Sequence, residues 1–437
     1  MASANLPDLP VGKEFEEFLA AYLQASGRYV ERNIIDRQEQ DVLELDIIAT
    51  DYKKATAPDL SLIEVKSGDW GFGDVFKLRG WLHYLNLPHG ILLVNAIRDP
   101  FEFYQKIGES IGIAVIAVPD LKKTNESLKP VGVSAKVKPD DVLTWRFSYW
   151  AERQLLAMLT AKKKSSASCK RYFALDRYIS LVNNRLFFTK NVIQRADALY
   201  DTFREYPHIS AKVGHEMCGA DFDREQEKIP GNVFEACYYK GQLNDLCIST
   251  YVENRARLSV MKSAIDYRLF KEAGSDQNEK ELIVFGDKKF EIGLLDALPK
   301  SFKGGLNKLA THKYFHRYPV FWQWFLWFFG GFIWLEREKE EHALLAERTG
   351  IPVEEIPNAL SAYEILFERE GGWFRDIESI RVMALVPPPF MGVGANFRRL
   401  VYSDKKDFEG LKISGTYAKL NLLRFNNMTV ELLNWKS

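Results

Sequence analysis

At 437 residues the chain is too long for one ordinary domain and implies two or three. Its 46% hydrophobic and 27% charged content is ordinary for a soluble globular protein, and 59 basic against 59 acidic residues leave no net charge. That balance excludes a broadly basic nucleic-acid binder and confines any such contact to a local patch or a partner protein.

The four cysteines, Cys169, Cys218, Cys237 and Cys247, are widely spaced and include no C-x-x-C pair. They read as reduced core thiols of a cytoplasmic protein, not as a zinc site or a disulfide framework. The amino-terminal stretch has no basic region followed by an apolar run, so no secretory signal is expected. Residues 1 to about 11 form a short arm ending in Pro7 and Pro10. Gly12 to Leu19 then open an amphipathic helix with Phe15, Phe18, Leu19, Tyr22 and Leu23 on one side, ending near Gly27. A strand follows over 28–35.

Two apolar runs come next, Leu43–Thr50 and Leu60–Ser67, separated by a polar segment with a proline. They read as neighbouring strands joined by a hairpin loop, with apolar residues on both alternating faces as in a sheet covered by helices on both sides. Asp46, Glu64 and Lys66 break this pattern. Glu64 and Lys66 stand at i and i+2 and share a face, and adjacent pairing brings Asp46 beside Glu64. Burying such charges costs several kcal/mol per ion unless they are paired or hold a metal. Asp46 and Glu64 offer hard oxygen ligands suited to Mg²⁺ or Mn²⁺, and the Val65 carbonyl offers a third. Lys66 is then placed to orient or deprotonate a water, or to offset negative charge on a phosphate. This is equipment for phosphodiester hydrolysis.

A helix over Gly73–Leu85, a strand over His89–Asn95, a helix over Asp99–Ile111 and a strand over Gly112–Val118 complete an α/β domain ending near residue 120. Gly71-Phe72-Gly73 reads as the turn into the first of these helices or a flexible loop beside the site, and Trp70 and Trp81 as sheet-packing or base-stacking rings. Residues 119–139 read as a linker or peripheral hairpin, and 140–160 as a helix ending in a solvated run with Lys162, Lys163 and Lys164. Beyond residue 170, 171–205 and 252–271 look helical, 281–292 alternates like a strand, and Lys300–Gly305 reads as a turn. The aromatic-rich segment Val320–Leu335 falls short of the roughly 20 residues that span a bilayer and reads as a buried core helix or partner-binding surface. Helices are expected over 336–348 and 353–367. Strand-like runs at 379–385, 398–403, 412–423 and 428–435, with a loop at Pro387-Pro388-Pro389, make this larger region α+β. His312 and His316 have a helical metal-ligand spacing, but Tyr318-Pro319 follows closely and no metal is assigned to them. Nothing resembles a Walker loop.

Asp46 followed by Glu64-Val65-Lys66 on the next strand resembles the D…(D/E)-x-K core of the PD-(D/E)XK, restriction-endonuclease-like nucleases, with Leu45 where a proline is usual. Gly12 with Phe15-Glu16 resembles the GxxFE start of the Mrr-like members. That resemblance implies that Glu16 joins the metal site. Lys77 is similar to a helical lysine of related CRISPR-ancillary nucleases, a possible accessory residue. The resemblance covers roughly a quarter of the chain and implies a mixed sheet flanked by helices within residues 1–120. It implies an endonuclease dependent on Mg²⁺ or Mn²⁺ that leaves a 5′-phosphate, with DNA favoured over RNA as substrate. Residues 121–170 are then a linker and connecting helix, and 171–437 an α+β sensor, docking or partner-binding region, as in prokaryotic antiviral defence, with a short Argonaute as one partner such a region would fit. The rival expectation is a catalytically silent subunit that keeps the nuclease fold as a scaffold for binding nucleic acid or protein.

Overall fold

The computed structural model describes residues 6–37, 41–55, 58–85, 87–133, 137–146, 148–149, 152–153, 258–259, 261–269, 280–285, 288–293, 300–328 and 338–366. The chain divides into two compact units, one within residues 6–146 and the other from residue 147 onward.

The first unit opens with helix α1 (Lys13–Ala25), a stretch free of proline, glycine and β-branched residues that buries Phe15, Leu19, Ala20 and Leu23. Strands β1 (Tyr29–Arg37), β2 (Asp41–Asp51) and β3 (Asp59–Lys66) follow as an antiparallel meander. Direction then changes. Helix α2 (Phe72–Leu85) carries the chain over to β4 (Gly90–Val94), and helix α3 (Phe101–Ser110) to β5 (Ile113–Ala117), so that β3, β4 and β5 run parallel. Parallel neighbours need such crossovers, which is why the helices fall between these strands and not between the first three. The result is a five-stranded mixed sheet in sequence order, flanked by helices.

All five residues of β4 are buried, so both its faces are covered. On one face Leu62, Leu92, Val94, Ile113 and Val115 meet Val75, Leu78 and Leu82 of α2. The opposite face buries Ile47, Ala49, Ile63, Val65, Ile91 and Leu93. Each such side chain contributes about 1.5–3 kcal/mol through the water it sheds, enough collectively to hold a few charges in unfavourable places. Glu64 and Lys66 lie on the α2 face, in line with Leu62.

Where a linker or hairpin was expected after β5, the chain instead folds back through short helical turns at Leu121–Lys123, Thr124–Leu128 and Lys129–Val131. They are tied to the meander: the Arg28 guanidinium donates to the Val131 carbonyl, and the Lys53 ammonium to that of Gly132 at 3.4 Å. Residues 139–146 are helical, as the expected 140–160 helix begins, and Arg146 donates to the Pro7 carbonyl at 2.8 Å.

In the second unit, described residues within 258–269 are helical and hold a buried Lys262–Asp266 ion pair at 2.6 Å. The alternation at 281–292 resolves into a hairpin, β6 (Lys280–Phe285) with β7 (Lys288–Gly293). Lys300–Gly305, expected as a turn, is the start of helix α4 (Lys300–Leu309). Gly304-Gly305 misled because the second glycine serves packing: a methyl there would lie 2.6 Å from the Ile365 carbonyl oxygen. The described part of the aromatic segment, as far as Phe328, forms a buried core element, though not one regular helix. Helix α5 (Tyr318–Gln323) widens into a π turn at Trp324–Phe328, and Trp322 donates to the Ala359 carbonyl at 2.9 Å. Helices α6 (Glu338–Thr349) and α7 (Ile356–Leu366) match the two expected there. No helix among the described residues is long and apolar enough to cross a membrane. The four cysteines, Lys162–Lys164, the expected helix at 171–205 and the expected strands beyond 379 lie outside the described residues.

Gly305→Ala sets a helix-propensity gain of about 1 kcal/mol against overpacking of about 1–3 kcal/mol. The obstruction is a backbone carbonyl that cannot turn aside. The substitution should therefore lower the denaturant midpoint of the full-length protein, and a raised midpoint would refute this packing.

Candidate active site

The regular pairing of β2 with β3 runs from Asp51↔Asp59 to Ile47↔Ile63. One step further, Asp46 stands opposite Glu64, and a side chain replaces the ladder: the Val65 N–H donates to Asp46 Oδ2 at 2.8 Å. A strand residue turns its N–H and its C=O toward the same neighbour, so the Val65 carbonyl also points to the Asp46 side. Glu64 is 2% exposed, and its Oε1 receives Lys66 Nζ at 2.7 Å and Lys77 Nζ at 3.2 Å. Lys66 Nζ also lies 3.6 Å from Asp74 Oδ1 in the first turn of α2. Lys77, one turn further along that helix, rests 4.2 Å from the centre of the Trp81 ring.

Glu16 comes from α1, which is pinned where it starts. Gly12 precedes the helix at φ +56°, a conformation suited to glycine, and its N–H donates to Ser67 Oγ at 2.6 Å. Asn95 holds the same corner by donating its side-chain amide to the Ser67 carbonyl at 2.7 Å and its backbone N–H to the Lys66 carbonyl at 3.0 Å. The end of β3 thus fixes both its own lysine and the helix that carries Glu16.

These neighbours shift the carboxyls strongly. Burial pushes Asp46 up to about 8, the Glu64 and Glu16 carboxylates push the same way, and the Val65 N–H and Lys66 only partly oppose them. Glu16 is pushed up to about 7 by burial, although Arg32 and Lys13 pull it down. Burial alone would lower Lys66, but the touching Glu64 carboxylate, with Asp74 and Asp46 behind it, holds it above the usual lysine range. Lys66 is therefore an ammonium at neutral pH.

Among the carboxyl oxygens of Glu16, Asp46 and Glu64, Glu64 Oε2 and Glu16 Oε1 are buried without a hydrogen-bond partner. Unpaired acceptors aimed into a cluster of mutually repelling carboxyls are what a hard cation relieves, and on that ground the donor set fits Mg²⁺ or Mn²⁺. As the side chains lie, no three His, Cys, Asp or Glu groups among the described residues form a ready metal cage. The available set is Asp46, Glu64 and the Val65 carbonyl, with Glu16 behind them, and Mg²⁺ commonly uses one or two carboxylates and completes its shell with water. No protein-family model, curated protein or solved structure matches the chain. What the site can do rests on its own chemistry.

Glu16, Asp46, Glu64, Val65, Lys66 and Lys77 therefore share one neighbourhood. Trp70 does not serve as a stacking surface: it is 3% exposed, donates to the Ala96 carbonyl at 3.1 Å and packs on Phe101 and Tyr104. Phe72 and Gly73 belong to α2, and Asp74 accepts the Gly71 N–H at 2.9 Å, so the glycine segment is the helix entry. His312 spends Nδ1 on the Tyr318 hydroxyl at 2.8 Å, and burial beside Arg317 pushes His316 down to about 4. Sequence reasoning missed Asp74 and Ser67. Asp74 carried a faint signal, an acid in a first helical turn three residues after a glycine.

Asp46 rises from 3.8 to about 8 on folding and Glu16 from 4.5 to about 7, so the folded chain holds these protons more tightly than the unfolded one. The stability they confer is complete below about pH 4 and is lost as pH rises through 7 to 8. Metal-free protein should melt lower at pH 8 than at pH 5, and Asp46→Asn should flatten that slope; equal slopes in both proteins would contradict the assignment. Ser67→Ala should cost about 1 kcal/mol in denaturant melts, the worth of one hydrogen bond. It should also weaken Mn²⁺ binding by freeing the start of α1.

Proposed function

We propose that residues 6–146 form a metal-dependent nuclease of the PD-(D/E)XK kind, hydrolysing phosphodiester bonds of nucleic acid. The observation that carries this reading is the side-chain closure of the β2–β3 ladder, Asp46 on the Val65 N–H, which sets one acid beside the Glu64–Lys66 pair. A bound Mg²⁺ or Mn²⁺ supplies Lewis-acid polarisation of the phosphate and a more acidic water. Asp46, Glu64 and the Val65 carbonyl hold it, and Glu16 completes the acidic wall. Lys66, fixed as an ammonium between Glu64 and Asp74, offsets the negative charge that builds on the phosphate and orients the attacking water.

DNA is the proposed substrate over RNA, on the resemblance alone. We further propose that the region beyond residue 170 decides when the site acts, by docking a partner or sensing a signal in antiviral defence. A chain without net charge gathers no nucleic acid by long-range attraction and needs another means of recruitment. One observation favours a silent scaffold instead: Lys66 and Lys77 already neutralise Glu64, as a cluster kept only for structure would require.

Cleavage of single- and double-stranded DNA and RNA with Mg²⁺ or Mn²⁺, with and without host proteins, tests the proposal. Glu64→Ala should abolish cutting, and Lys66→Ala should slow it by about a hundredfold to a thousandfold, with both proteins folded by circular dichroism. Undiminished cutting by both variants, or none by the parent under every condition, would overturn it.

A further inference from the structure

The two ammonium groups on Glu64 are held differently. Lys66 extends from the strand itself, is 26% exposed and has a second carboxylate, Asp74, at 3.6 Å. Lys77 reaches in from α2 with its side chain 45% exposed, and its partners are Glu64 Oε1 at 3.2 Å and the Trp81 ring, centred 4.2 Å away. An ion pair made by a half-exposed lysine is weak and readily exchanged. The indole face already beside Lys77 attracts its charge and can retain the ammonium once its carboxylate partner is taken. Glu64 meanwhile keeps Oε2 buried and unpartnered, so its carboxylate is only half satisfied by the lysines.

Resting on the nuclease reading of this site, we propose that Lys77 is the resting counter-ion of Glu64, a built-in cation that holds the carboxylate until a divalent ion takes its place and leaves it on the Trp81 ring it already touches. Lys77 thereby sets the metal affinity of the site, and with it the metal concentration at which the site becomes loaded. Lys66 does not exchange, because Asp74 keeps it in place.

The test is calorimetric titration of Mn²⁺ into the full-length protein and its variants, with folding checked by circular dichroism. Lys77→Met should tighten Mn²⁺ binding about fivefold, the worth of one half-exposed ion pair. Lys77→Arg keeps the charge and should stay near the parent. Trp81→Leu removes the ring that retains the displaced ammonium and should weaken binding, yet have no effect when Lys77 is already Met. A lysine that merely supports the fold gives the opposite sign, since its loss loosens the site. Parent protein that binds Mn²⁺ with Lys77→Met equal or weaker would overturn the counter-ion role and leave the metal site standing. Absence of Mn²⁺ binding in the parent and in Lys77→Met alike would overturn both.

Discussion

The bond from the Val65 N–H to Asp46 Oδ2 is the constraint on which the site depends. An antiparallel pair normally continues by exchanging backbone bonds, residue by residue. Here the ladder stops at Ile47↔Ile63, and the next donor is taken by a carboxylate. The exchange satisfies the N–H, so the strand pays nothing in unpaired backbone. It also fixes one oxygen of Asp46 and leaves the Val65 carbonyl unclaimed by the ladder on the β2 side. Had the ladder run on to Leu45 and Val65, both Val65 backbone groups would be consumed and Asp46 would lose the donor that fixes it.

The rest of the unit follows from keeping that end of the sheet in register. Below it, β3 and β4 are buried on both faces by aliphatic side chains, so a slip of one residue would turn the apolar set outward and is strongly disfavoured. Above it, Ser67 and Asn95 tie the end of β3 to the start of α1 and the end of β4. Glu16 is therefore placed from a helix by a bond at the helix entry, four residues away. A glycine with positive φ at Gly12 lets the chain make that turn.

Much of this was legible in the residues. The two apolar runs with Asp46, Glu64 and Lys66 interrupting them predicted neighbouring strands, and the structure pairs them in the register that brings these groups together. The alternation of strands and helices to residue 118 was equally plain, because β4 and β5 are short apolar runs bounded by turns. What escaped was set by tertiary contact. Gly304-Gly305 has the local signature of a turn, and only the Ile365 backbone passing close by explains why glycine occurs within a helix. Ser67 is a common residue at a strand end with nothing local to distinguish it, and the first-turn position of Asp74 marks a helix start without revealing its contact with Lys66. The helical turns between Leu121 and Val131 carry no amphipathic period, since they are held by Arg28 and Lys53 from far back in the chain.

Charge balance supplies the last step. Asp46, Glu64 and Asp74 are gathered around Lys66, with Lys77 also on Glu64, three acids against two ammonium groups, while Glu16 adds its charge to Asp46 and itself faces Arg32 and Lys13. Burial pushes Asp46 up to about 8, with the Glu64 and Glu16 carboxylates adding to it, and burial pushes Glu16 up to about 7. Hydrophobic burial elsewhere in the unit supports the cost, but a cluster kept only for stability has no reason to bear it, since an apolar replacement would remove the repulsion outright. In the proposed reading a divalent cation would offset that repulsion and take up the Glu64 oxygen that the lysines leave unpaired. The raised titration of Asp46 and Glu16 and the unpartnered Glu64 Oε2 have one origin, carboxyl groups buried together with too few donors to satisfy them.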